Sequence, residues 1–344
     1  MYRLAFIGFG TVGQGLLEIL LDQREKLKRD YQFEWFVVAI SDPIKGSIFD
    51  PKGLDAKKCL ELVKSKGTIR SYQAPEVGWD SIRTIRESNA DIIIEVSYTD
   101  IKTGEPGLTH VRTAITTGKH VTMTNKGPMV VASAELLGEA LAKNVLLRYE
   151  GTVMSGTPVI ITGVRSLRAA GIRKLRGILN GTTNFILTRM EEGESYINAL
   201  KKAQELGYAE AKPEGDVEGW DAVGKVVILA NTLMGSSLKV EDVSREGITK
   251  LTSDDIKAAS EEGMRWKLIA EVSRDDTGKV TASVKPTKVA LTNPLAGVRG
   301  ATNALTFHTE LMGEVTMIGA GAGRKETGFA LLTDLLDMHS ILKK

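Results

Sequence analysis

Asp221 and Lys225 carry the chemistry most legible in this chain. Four residues apart, they share one face of a helix. From Ala222 to Met234 every side chain except Lys225, Asn231 and Thr232 is apolar or small, and Lys225 is the only charge. A helix that is apolar nearly all round is a buried one. An ammonium placed there needs a partner, and Asp221 is the nearest. A buried lysine beside one carboxylate is suited to giving and taking protons. The competing reading is a surface ion pair worth about 0.3–0.5 kcal/mol. The apolar flanks of Lys225 weigh against it.

A second constellation opens the chain. Arg3-Leu4-Ala5-Phe6-Ile7 reads as a short apolar strand, and Gln14 to Leu21 has helical spacing. Between them lies Gly8-Phe9-Gly10-Thr11-Val12-Gly13, a G-x-G-x-x-G run in the strand-to-helix context that a dinucleotide site requires. The first glycine makes the tight turn, the second lets the backbone approach a pyrophosphate, and the third lets helix and strand pack closely. The free N–H groups of the helix start then face the phosphates.

The next strand is predicted over Glu34 to Ile40 and leads to Ser41-Asp42. An acidic residue at this strand end accepts from the adenosine ribose hydroxyls of NAD. Asp42 lies about thirty residues beyond the glycines against a usual ~20, and a long first helix with a charged tail, Asp22 to Asp30, accounts for the excess. Lys45 and Lys52, in the glycine- and proline-rich loop expected after Asp42, can instead meet the 2′-phosphate of NADP. The residues leave NAD and NADP both open.

The elements that must position these groups alternate. A helix is predicted at Ser81–Ser88, a buried strand at Asp91–Val96 ending in Ser97, a helix at 107–117, a strand at His120–Met123 followed by Thr124-Asn125-Lys126, a helix at 133–142 and a strand at 145–149. This is the doubly wound α/β pattern. Its ligands bind outside the carboxyl ends of the strands, where Gly8–Gly13, Asp42, Ser97 and Lys126 all fall. Beyond Glu150 the character changes. An apolar helix is expected to Arg168, then a strand over 174–179, helices to Met190 and over Tyr196–Leu206, the lysine helix, and strands over 281–291 and 310–318. The fold class expected is α/β: a Rossmann-type doubly wound domain, 1–149 plus 319–344, and an α+β domain with a mixed sheet, 150–318, for substrate, catalysis and dimerisation.

Composition excludes other classes. With 45 basic and 43 acidic residues the net charge is +2, which leaves no footprint for nucleic acid or an anionic membrane. No apolar run approaches the ~18 residues of a membrane span. Cys59 is the single cysteine, so no internal disulfide forms, and a reducing cytoplasm is expected. The chain starts in a core strand, so no signal peptide is expected. The four histidines lack metal-ligand spacing.

Taken together, Gly8–Gly13, Thr124-Asn125-Lys126, Glu150-Gly151-Thr152-Val153, Leu179-Asn180-Gly181-Thr182-Thr183-Asn184 and above all Leu206-Gly207-Tyr208-Ala209-Glu210 through Lys225 make the chain similar to homoserine dehydrogenases over essentially its full length. The resemblance implies interconversion of L-aspartate 4-semialdehyde and L-homoserine with NAD or NADP, in the route to threonine and methionine. It implies Lys225 as proton donor, Asp221 beside it as a substrate-binding carboxylate, Glu210 and Asp216 in the same pocket with Glu210 on the substrate's amino group, and Lys126 as a second lysine at the nicotinamide end. Gly207 and Gly323 match backbone contacts near substrate and cofactor. Glu150, Val153, Ser155 and Thr157 match a monovalent-cation site, typically sodium, made mostly of backbone carbonyls. A homodimer paired through the second domain is also implied. Since the chain stops soon after the nucleotide domain closes, the C-terminal regulatory domain and fused aspartokinase that some relatives carry are not expected, nor is threonine inhibition through such a domain. Two further readings stay open: another two-domain amino-acid or semialdehyde dehydrogenase, and a non-catalytic dinucleotide-binding sensor.

Overall fold

The computed structural model describes residues 1–343, which form two compact units: Met1–Gly156 with the chain from Gly323 onward, and Thr157–Ala322. The turn from Glu150 to Gly156 therefore belongs to the first unit.

Seven strands build the first unit's sheet: β1 (Tyr2–Ile7), β2 (Trp35–Asp42), β3 (Gly46–Phe49), β4 (Glu76–Val77), β5 (Ile92–Glu95), β6 (His120–Met123) and β7 (Leu147–Arg148). Their order is β4-β3-β2-β1-β5-β6-β7. From β2 through β1, β5 and β6 to β7 the pairing is parallel, and strand order reverses beside β1. Such strands bury both faces, which is why Ile92-Ile93-Ile94 is an unbroken apolar run with no exposed surface. The helix Thr11–Asp22 and the last helix, Arg324–Leu342, pack with β1 and β2 in one core that includes Leu16, Leu20, Leu331 and Leu335.

Two local expectations are corrected. The charged tail is not part of the first helix: the chain breaks at Gln23 and resumes as a separate helix, Arg24–Tyr31, which buries only Leu27. The loop expected after Asp42 is a hairpin, with β3 antiparallel to β2 and Asp42 paired with Gly46. Ile48 and Phe49 drive it by turning into the core, a signal too short to register as an alternation.

The second unit's strands are β8 (Ile172–Ile178), β9 (Ser244–Arg245), β10 (Met264–Arg274), β11 (Val280–Ala290), β12 (Thr302–Thr309) and β13 (Gly313–Ala320). They lie in the order β13-β12-β8-β10-β11-β9. All pairs are antiparallel except β9 with β11, so the sheet is mixed. β10 escapes sequence reading because its charges at Arg265, Lys267, Glu271 and Arg274 break the apolar alternation. The helix expected to Arg168 is instead three short turns, Val159–Ile161, a wide turn Thr162–Ser166 and Arg168–Ala170. Gly163 among β-branched Ile160, Ile161, Thr162 and Val164 is a poor helix sequence. The lysine helix, Trp220–Met234, is buried continuously from Ala222 to Ala230. Among the described residues no helix is long and apolar enough to cross a membrane.

Candidate active site

In the first unit, a cleft of about 770 Å³ opens at the carboxyl ends of β1, β2 and β5, lined among others by Gly8, Asp42, Arg70, Trp79, Ser97 and His110. Gly8 donates its N–H to Ser41 O at 2.8 Å and has φ +91°, and a Cβ there would lie 2.5 Å from Val96 O. Only glycine makes this turn. Gly10 precedes the helix Thr11–Asp22, and a Cβ on it would meet nothing within 4 Å. That open cradle above a helix N-terminus suits the pyrophosphate of a dinucleotide.

Asp42 ends β2, nearly buried, and its carboxylate is already engaged. Oδ2 accepts from Phe9 N at 2.7 Å, while Oδ1 accepts from Ile44 N at 2.9 Å and Lys45 N at 2.7 Å. Each oxygen offers two lone pairs, so Oδ2 keeps one for a ligand hydroxyl and Oδ1 none. Of the two lysines, Lys45 lies in the hairpin turn beside Asp42. Lys52 lies past the far end of the hairpin, where Asp50 N bonds Val38 O and Leu54 N bonds Val37 O. It is therefore some four to five residues, roughly 15 Å, down β2 from Asp42, too far to share its ligand. The residue that sequence reading missed is Arg70. Its guanidinium reaches the hairpin turn with two long contacts, 3.4 Å each, to Pro43 O and Ile44 O. Nothing local in the sequence marks it, because it arrives from a loop beyond the helix Ala56–Lys66. Ser97 follows β5, and Lys126 immediately precedes the helix Gly127–Ala142 just beyond β6.

In the second unit, Lys225 and Asp221 meet as their spacing predicts. Lys225, 7 % exposed, donates from Nζ to Asp221 Oδ2 at 2.7 Å and to Leu179 O at 2.6 Å. Asn180, next to Leu179, holds the cluster together. Its Nδ2 donates to Asp216 Oδ1 at 2.7 Å and Asp221 Oδ2 at 3.0 Å, while its Oδ1 caps the helix Gly181–Glu191 by accepting from Thr183 N. Burial pushes the Asp216 carboxyl above the ordinary range, the neighbouring Asp221 charge pushes it further, and Asn180 and Lys225 oppose the rise. Thr182 donates its hydroxyl to Tyr208 O at 2.6 Å, tying the 207–213 segment to this cluster. Gly207 sits in that segment with φ +75°. Glu210 is also there, exposed, and among the described residues no hydrogen bond joins its carboxylate to the cluster. Asn180 is the site residue that the motif contained but the carboxylate-and-lysine reading passed over.

The turn from Glu150 stands in the first unit. Glu150 is buried, and its N–H donates to Asp334 Oδ2 at 3.2 Å. Met154 and Ser155 both hold left-handed backbone, φ +58° and +53°, and Ser155 Oγ meets Thr327 Oγ1 at 2.7 Å. Burial, and then the Glu150 charge, holds the Asp334 carboxyl well above the ordinary range. Gly323 precedes the last helix, and Thr157 belongs to the second unit, its hydroxyl donating to Ala320 O.

Compared with known proteins, residues 158–336 match the family model described as homoserine dehydrogenase. An NAD(+)-dependent homoserine dehydrogenase from Pseudomonas canavaninivorans is 44% identical over 338 residues, 98% of this chain and 96% of that one. A homoserine dehydrogenase from Methanocaldococcus jannaschii is 39% identical over 99% of both chains. The structure of a hyperthermophilic archaeal homoserine dehydrogenase mutant in complex with NADPH superposes with a TM-score of 0.85 at 30% identity, over 100% of this chain and 98% of that one.

Proposed function

This chain belongs to the homoserine dehydrogenase family, and we propose from that premise how its residues divide the work. The reaction is the reversible NAD(P)H-dependent reduction of L-aspartate 4-semialdehyde to L-homoserine. The observation that carries the assignment of roles is the bonding of Lys225. An ammonium has three protons. Leu179 O and Asp221 Oδ2 fix two of them, which leaves the third for a substrate oxygen. Held on Gly8–Gly13, a dinucleotide would supply hydride chemistry; the proton is the work of this chain's own residues. Lys225 gives the aldehyde oxygen its proton in reduction, and its neutral amine takes the hydroxyl proton in oxidation. Asp221 orients Lys225 and contacts substrate, Asp216 completes the acidic wall, and Glu210 with the backbone at Gly207 receives the substrate's amino group. Lys126 serves at the nicotinamide end.

The first unit holds the dinucleotide on Gly8–Gly13, with Asp42 and Ser97 on its ribose hydroxyls and Gly323 contributing backbone. The free lone pair on Asp42 Oδ2 favours NAD, and Arg70, at the hairpin turn, offers a guanidinium to a 2′-phosphate. Glu150, Val153, Ser155 and Thr157 are read as the carbonyl site of a monovalent cation, sodium by resemblance. Its support is the left-handed backbone of Met154 and Ser155, which costs roughly 1–2 kcal/mol per residue, and the buried carboxyls of Glu150 and Asp334, whose mutual repulsion a cation would relieve. The reading extends to a cytoplasmic homodimer. Its support is Cys59, the single cysteine, a buried thiol pushed up to about 12 by desolvation, and the resemblance, which implies pairing through the second domain.

The test is spectrophotometric: formation of NADH or NADPH from L-homoserine by the purified chain. Turnover on L-homoserine is expected. Turnover only on another amino acid or semialdehyde, or dinucleotide binding without turnover on any of them, would overturn the reading.

A further inference from the structure

Behind Ser97 at the first unit's cleft stands a polar chain, Glu95, His110 and Ser81, none of which has an assigned role. Glu95 is the last residue of β5 and has no exposed surface. Three donors converge on one of its oxygens, Oε1: the Ser97 hydroxyl, Ser97 N at 3.3 Å, and His110 Nδ1 at 3.2 Å. His110, 4 % exposed, is anchored from behind by Ser81 Oγ, 2.7 Å from Nε2. With Nδ1 donating to Glu95, Nε2 accepts from Ser81, so the imidazole is held at both nitrogens and holds the carboxylate in turn.

The consequence falls on Ser97. A serine hydroxyl has one proton and two lone pairs. Glu95 takes the proton. One lone pair faces Asn125 Nδ2 at a long 3.5 Å, and Asn125 is itself fixed, donating to Tyr98 O at 2.8 Å and accepting from Gly127 N at 3.0 Å. One lone pair remains. Ser97 lines the cleft as an acceptor with no proton to give, so it cannot serve a phosphate oxygen. It can serve a hydroxyl.

We propose that Glu95, braced by His110, is a positioning residue that makes Ser97 an acceptor for a ribose hydroxyl of the dinucleotide. This rests on the reading of the cleft as a dinucleotide site. Glu95 never touches the cofactor and acts only through Ser97. Two signatures follow. The effects of removing Glu95 and Ser97 coincide rather than multiply, and Glu95→Gln, which keeps a carbonyl acceptor at the same place, restores the function without the charge.

The experiment is titration of the full chain with NAD⁺, followed by protein fluorescence, for wild type, Ser97→Ala, Glu95→Ala, the double variant and Glu95→Gln. Ser97→Ala, Glu95→Ala and the double variant should each raise Kd about tenfold, the worth of one hydrogen bond of about 1.4 kcal/mol. Glu95→Gln should stay within about threefold of wild type. A hundredfold loss in the double variant, unchanged binding in Ser97→Ala, or a Glu95→Gln as weak as Glu95→Ala would overturn the proposal. Should Glu95→Ala not fold, NAD⁺ analogues lacking single ribose hydroxyls decide it. One of them must bind wild type and Ser97→Ala equally well, and if every analogue still distinguishes the two the proposal fails. A wild type that binds no NAD⁺ at all would instead sink the dinucleotide reading itself.

Discussion

Replacing Asn180 separates its two jobs. Its amide Nδ2 joins Asp216 and Asp221 at 2.7 and 3.0 Å, and its carbonyl caps the helix Gly181–Glu191. Asn180→Ser keeps a good cap and loses the bridge, whereas Asn180→Ala loses both. The cap is worth about 1 kcal/mol, so Ala should unfold at lower urea than Ser by that amount. A hydrogen bond to a charged group is worth about 1.5–3 kcal/mol. Asp221 retains some solvent contact, 21 % of its side chain, so water replaces part of what is lost, and a combined 1.5–3 kcal/mol is the reasonable total for the two bonds. That corresponds to a ten- to hundredfold loss in kcat/KM for L-homoserine, similar in both variants. The sign of the pH effect is fixed as well. The Asn180 bond lowers the Asp216 carboxyl while burial and Asp221 raise it, so its loss moves ionisation to higher pH and shifts the acid limb of the kcat/KM profile upward. Steady-state kinetics at pH 5–9, with urea titrations alongside, supply both readouts. Asn180→Ser with wild-type kcat/KM and an unmoved acid limb would refute the reasoning.

Asp42→Ser should lower the ratio of the NADP to the NAD dissociation constant, since it removes the charge that opposes a 2′-phosphate, and Arg70→Ala should raise that ratio; isothermal titration of both cofactors checks the pair, and ratios fixed at the wild-type value would remove both residues from cofactor choice. Gly10→Ala should unfold at the wild-type temperature, because its Cβ meets nothing, yet bind NAD⁺ at least tenfold more weakly; wild-type affinity would mean the cradle holds no phosphate. Lys267 has no exposed surface, and desolvation lowers its ammonium from 10.5 to about 8 despite Glu191. Below pH 8 folded and unfolded chains both carry the proton and the full burial penalty. Between 8 and 10.5 the folded chain sheds it first, so stability should rise with pH by up to about 3 kcal/mol. Lys267→Met should flatten that slope in urea titrations at pH 7–10.5, and an unaltered slope would count against it.

Much of this was legible beforehand where one signal is local and strong. The Gly8–Gly13 run sits between a strand and a helix, and Asp221 and Lys225 are one helical turn apart, so neither needs the fold to be interpreted. What escaped is what depends on pairing at a distance. β10 hides behind charges that the second unit buries or bonds, Lys267 above all. Arg70 reaches the Asp42 turn only because the β2–β3 hairpin folds back. Lys52 looked equivalent to Lys45 in sequence, but antiparallel pairing carries it to the other end of β2. Asn180 was within a recognised motif, yet an uncharged amide gives no hint that two carboxylates share it.

The central claim is that Lys225 is the proton donor, and Lys225→Ala tests it most directly. Its Nζ is the group that Leu179 O and Asp221 aim, and the dinucleotide cradle belongs to the other unit. Steady-state oxidation of L-homoserine should fall 10²–10⁴-fold, the usual cost of losing a positioned acid or base, while NAD⁺ affinity measured by fluorescence stays at the wild-type value. Retention of more than about a tenth of wild-type turnover would contradict the account and pass the role to Lys126.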